Sequence, residues 1–61
     1  MIKKIELELV GLDGNAFALL GAFQKQAKKE EWTETEINEV LDEAQSGDYN
    51  HLLQTLLAHT N

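Results

Sequence analysis

His51 and His59 are the side chains of this sequence able to exchange a proton near neutral pH. Eight residues apart on a helix, they are too widely spaced for the three- or four-residue interval that lets two helical side chains share a metal. Asp48 precedes His51 by three positions, which allows an Asp–His contact but equally suits a helix cap beside a surface imidazole. The single serine, Ser46, sits in the turn before Gly47, so no Ser–His–Asp set assembles on one face. With no cysteine there is no thiol nucleophile, thiolate metal site or disulfide. Gly11-Leu12-Asp13-Gly14 is too short for a phosphate loop and carries an acid where phosphate would sit. General acid–base work needs two carboxylates in a cleft with separated pKa values, whereas those of the second helix fall on a wet face. The expectation is a protein that is not an enzyme, with no cofactor and no metal.

Eleven acids against five lysines and no arginine give a net charge of -6. The charge is unevenly spread. Residues 1–29 hold all five lysines and three acids, a balance of +2, while residues 30–61 hold eight acids and no lysine, a balance of -8. This field disfavours nucleic acid, whose binding draws on phosphate neutralisation by basic side chains. It disfavours anionic membranes as well. A helix-turn-helix outline is present, with Asn50, His51, Gln54 and Thr55 on a polar face, but Lys3, Lys4, Lys25, Lys28 and Lys29 are the cations available to hold phosphate. The acidic half could instead imitate nucleic acid and block a basic protein, through Glu30, Glu31, Glu34, Glu39, Asp42 and Glu43. No apolar run reaches the length of a membrane span, and Lys3, Lys4, Glu6 and Glu8 break up any signal-peptide core. The expected location is the cytoplasm.

The elements that must position these groups begin with a strand over 2–10. Ile5, Leu7 and Leu9 alternate with Lys4, Glu6 and Glu8, while Ile2 and Val10 fall on the charged side. A lone strand has two unpaired edges, so this reading requires another polypeptide. Antiparallel pairing of two copies would set Lys4 opposite Glu6 or Glu8, depending on register.

Three helices follow, at about 15–31, 33–46 and 48–59. The first is capped by Asp13 or Asn15 and carries Ala16, Leu19, Leu20, Phe23 and Ala27 on one stripe, with Lys25 and Lys29 opposite. Phe17, Ala18 and Ala22 lie off that stripe, and Gly21 suggests close approach of another backbone. The second helix opens with the Thr33…Glu36 capping box, flanked by Trp32 and Ile37 at the staple positions, and ends at Gly47. Asp48 caps the third, whose broad face carries Tyr49, Leu52, Leu53, Leu56 and Leu57. Sixty-one residues make one domain, residues 1–61. A chain this short buries only about 60% of its unfolded surface and gains from oligomerisation.

Leu12-Asp13-Gly14-Asn15-Ala16-Phe17, Trp32-Thr33, Ser46-Gly47-Asp48-Tyr49 and His51-Leu52-Leu53-Gln54-Thr55-Leu56 form a pattern that resembles small bacterial and phage proteins of unassigned activity. The resemblance implies a self-contained domain and brings no functional residue with it.

Together these readings give an α+β fold, one strand and a three-helix mini-bundle, paired with a second chain. Its expected role is a small acidic protein–protein interaction or regulatory module, homodimeric through the strand. Self-association is assigned to Ile2, Lys4, Ile5, Glu6, Leu7, Glu8, Leu9, Val10 and Phe17. An external basic partner is assigned to Glu34, Glu39, Asp42 and Glu43.

Overall fold

The computed structural model describes residues 3–9 and 14–60. Three α-helices carry the fold: α1 (Ala16–Lys29), α2 (Glu34–Ala44) and α3 (Tyr49–Ala58). Each starts one residue later than the sequence predicts and ends one or two earlier, because the predicted limits included the capping residues. The caps themselves are local chemistry. Asn15 accepts from the Phe17 N–H at 2.8 Å and Asp48 from the His51 N–H at 2.9 Å. Thr33 and Glu36 form the full reciprocal box: Thr33 Oγ1 accepts from Glu36 N at 3.2 Å, and Thr33 N donates to Glu36 Oε1 at 2.9 Å.

The turn between α1 and α2 departs from the usual chemistry. Glu31 adopts φ 66°, a left-handed conformation that normally belongs to glycine or asparagine. The N–H of Trp32 donates to the Ala27 carbonyl at 2.9 Å and that of Glu31 to Lys28 at 3.0 Å. These two bonds make a Schellman motif with glutamate in the glycine position.

The core is built from the predicted stripes: Leu19, Phe23 and Ala27 of α1, Ile37, Val40 and Ala44 of α2, and Leu52 and Leu56 of α3. Trp32 joins them, its ring edge-on to Phe23 with centroids 5.7 Å apart. Ile5 completes the cluster and is fully buried, while Leu7 and Leu9 are half-buried against it.

The α+β expectation is overturned. Among the described residues there is no β-strand, only an isolated parallel bridge between Ile5 and Thr60, and the fold is a small all-helical one. Residues 3–9 lie outside the helices, and three of their backbone polar groups find partners within the same chain. The Ile5 N–H donates to the His59 carbonyl at 2.8 Å. The Lys3 carbonyl accepts from His59 Nδ1 at 2.9 Å. The Glu6 N–H donates to the Glu30 carboxylate at 2.8 Å. The need for a second chain along this segment rested on counting strand edges, whereas a helix end and two side chains take up three of its polar groups. Strand pairing with another copy falls with the strand. Lys4, Glu6 and Glu8 are exposed, as predicted for the outward face. Ile2 and Val10, also assigned to that interface, and the turn at residues 11–13 lie outside the described residues.

Lys3 fastens the segment further out. Its ammonium bonds Glu36 Oε2 at 2.8 Å and lies over the Trp32 ring at 5.0 Å from the centroid.

Candidate functional site

Two places gather side chains of chemical interest. The first is the α2–α3 corner, where the sequence offered no catalytic set yet the fold brings Ser46, His51 and Glu43 together. The His51 Nε2 atom lies 2.9 Å from the Glu43 carbonyl oxygen, 3.0 Å from Glu43 Oε2 and 3.3 Å from Ser46 Oγ. Hydroxyl and carboxylate thus meet on one ring nitrogen. A catalytic triad needs them on opposite nitrogens. The contact with the Glu43 carbonyl, which can only accept, requires Nε2 to carry a proton, so this nitrogen has no lone pair to take one from Ser46. The Ser46 hydroxyl instead donates to Glu43, with its carbonyl at 2.7 Å and Oε2 at 2.8 Å.

This arrangement is a clasp. The carboxylate and carbonyl of Glu43 favour the charged form of the His51 imidazole, raising the His51 pKa above its ordinary value, first through the carboxylate hydrogen bond and then through the carbonyl. Glu43 is lowered in turn by the bonds from Ser46 and His51. The last turn of α2 has no basic residue of its own, so His51, when protonated, supplies from α3 the cation that the negative end of α2 favours. Gly47 makes room for it. A Cβ there would lie 3.0 Å from the His51 Cβ and Cγ atoms. The sequence reading of Gly47 as a helix stop is corrected: Gln45 is the C-cap, and the glycine serves the ring's approach.

The predicted Asp48–His51 contact exists, but to the backbone N–H, not the ring. His59 is half-buried, with its ring edge-on to Phe23 at 6.5 Å and Trp32 at 6.4 Å. Thr55, placed on a polar reading face, is buried and donates to the His51 carbonyl at 2.8 Å. No group of three or more His, Cys, Asp or Glu among the described residues could hold a metal ion.

The second place is a groove of about 320 Å³ between the start of α1, the end of α2 and the start of α3. Ala16, Leu20, Ala44 and Leu52 give it an apolar lining. Asp48 is its charged lining residue. Phe17 borders it and is 83% exposed, the largest exposure of any large apolar side chain described. Tyr49 forms the opposite rim at 44% exposure, and its hydroxyl donates to the Gly14 carbonyl, tying α3 to the entry of α1. Sequence reasoning singled out Phe17 because it lies off the core stripe. It missed the groove, which needs residues from three helices.

The acids assigned to an external partner diverge. Glu34, Glu39, Asp42 and Glu43 are all exposed on α2, but Glu43 is also engaged with His51 in the clasp. Glu30 is likewise engaged, accepting from Gln26 Nε2 at 2.8 Å as well as from Glu6. Of the described apolar residues assigned to self-association, Ile5 is core, Leu7 and Leu9 support it, and Phe17 projects to the surface beside an apolar recess.

The chain matches no family model, no curated protein and no solved structure. No helix among the described residues is long and apolar enough to cross a membrane.

Proposed function

We propose that this chain is a non-enzymatic interaction module whose docking face is the groove bordered by Phe17 and Tyr49. One observation carries the reading: Phe17, more exposed than Leu57 or Tyr49, the other exposed large apolar side chains described, stands beside an apolar recess. Aromatic side chains held at a recess are the usual anchors of binding surfaces, and exposed apolar patches mark interaction sites. The module works in the cytoplasm, where a fold without cysteine needs no oxidising environment. The test is a capture experiment comparing the wild-type chain with Phe17→Asp. Proteins or copies retained by the wild type and lost by the variant support the docking face; identical capture by both removes it.

A basic protein partner at α2 is the second reading, favoured by Glu34, Glu39 and Asp42 standing exposed on a helix without a basic residue. Glu39→Lys should leave the fold intact and weaken such a partner, whereas Phe17→Asp should not. As a nucleic-acid decoy the chain would act through this same face.

A further inference from the structure

The groove and Phe17 together present a knob beside a socket on one face. One helical turn after Phe17, Gly21 is exposed, and nothing lies within 4 Å of the place its Cβ would occupy. Its own domain gives this helix-weakening residue no packing role. Ala18 beside it is exposed as well, and Lys25 stands exposed one turn further along the same line. At the other end of α1, the Tyr49–Gly14 hydrogen bond brings the start of α3, and with it Asp48, beside the helix entry. The helix therefore runs from the Asp48 corner past the exposed Lys25 to a last turn in which Lys28 and Lys29 are followed by Glu30 and Glu31.

We propose that the occupant of the groove is a second copy of this chain. The two α1 helices cross antiparallel about a two-fold axis, and Phe17 of each copy enters the recess of the other. This rests on the groove being the docking face. A two-fold interface must be self-complementary, and a knob adjoining its own socket meets that condition. The charges select the direction. Antiparallel crossing carries Lys25 of one copy toward the Asp48 corner of the other, whereas parallel crossing stacks lysine on lysine. It also sets Gly21 against the small residues near the opposite helix entry, Ala16 among them, so the backbones approach closely. An unrelated polypeptide would have to bring both an aromatic anchor and a cation; a second copy already has them at the required spacing.

Sedimentation of the purified chain between about 20 μM and 1 mM tests this, since an interface of this modest size belongs to the weak class. The expected result is a concentration-dependent monomer–dimer equilibrium. Phe17→Asp should weaken it more than tenfold with helicity unchanged, because an acid near a helix N-terminus is well tolerated. Asp48→Ser keeps the α3 cap while removing the charge, and should weaken pairing several-fold. Lys25→Gln should do the same alone but add little in the Asp48→Ser background. A single monomeric species at 1 mM, or a dimer indifferent to Phe17→Asp, overturns the proposal. If the chain is monomeric yet its capture of other proteins still depends on Phe17, self-pairing alone is lost. If capture is also indifferent to Phe17, the docking face goes with it.

Discussion

Ile5 and His59, near opposite ends of the sequence, are joined by a backbone hydrogen bond of 2.8 Å, the Ile5 N–H donating to the His59 carbonyl. The bond lands on the C-cap of α3, where helical carbonyls lack intrahelical partners. Two shortages cancel here: an extended segment with unpaired donors meets a helix end with unpaired acceptors. The His59 ring completes the exchange through Nδ1 to the Lys3 carbonyl. Ile5 is thereby placed, fully buried, in the hydrophobic core.

Ile5→Ala should therefore act as a core deletion. Large-to-small changes at buried aliphatic positions cost about 2–5 kcal/mol, a large share of the stability of so short a domain. Urea denaturation monitored by circular dichroism checks it. A loss below about 1 kcal/mol would mean that the extended segment contributes little to the fold.

The His51–Glu43 clasp gives a pH dependence with a definite sign. Because the His51 pKa is raised on folding, its contribution is fully present below the unfolded value of about 6.5 and is lost as pH rises through the folded value. Glu43 is lowered, so its contribution holds above the ordinary carboxylate range and disappears as pH falls through its folded value. The urea midpoint should fall from pH 6 to pH 8 in the wild type, and His51→Gln should flatten that slope. A wild-type midpoint unchanged over this interval contradicts the clasp.

Glu31→Gly should stabilise the protein by about 0.5–1 kcal/mol. A side chain in the left-handed region is strained by about 1–2 kcal/mol, and the greater freedom of glycine in the unfolded chain offsets part of the relief. A rise in the thermal midpoint is the readout; a fall would mean that Glu31 makes a compensating contact.

Gly47→Ala tests the opposite case. No left-handed backbone requires glycine there, so any penalty comes from the 3.0 Å approach to the root of the His51 side chain. A loss of about 1 kcal/mol is expected from overpacking. The His51 pKa, followed by NMR, should return toward its ordinary value as the ring is pushed from Glu43. An unmoved titration would show that the corner yields without disturbing the ring.

What the sequence discloses is local. The caps at Asn15, Thr33 and Asp48 follow from spacing within a few residues and are found in place. So are the core stripes of α1 and α2, whereas the broad face read on α3 buries Leu52 and Leu56 but leaves Tyr49 and Leu57 exposed. The extended segment misleads because alternation at Ile5, Leu7 and Leu9 reports a buried face without saying what covers it. A sheet and a helical surface impose the same pattern. Its true partners, Glu30 and His59, leave no periodic trace. The clasp escapes for a related reason, since Glu43, Ser46 and His51 converge only once α2 and α3 have folded back on each other. The groove, assembled from three helices, is equally silent in any single window.

Trp32 is the chain's one tryptophan, and its indole lies beneath the Lys3 ammonium and against the His59 imidazole. Emission from that residue consequently responds to release of the leading segment as well as to opening of the core around Phe23. Loss of the Lys3 contact would register optically even while the helices keep their far-ultraviolet signature.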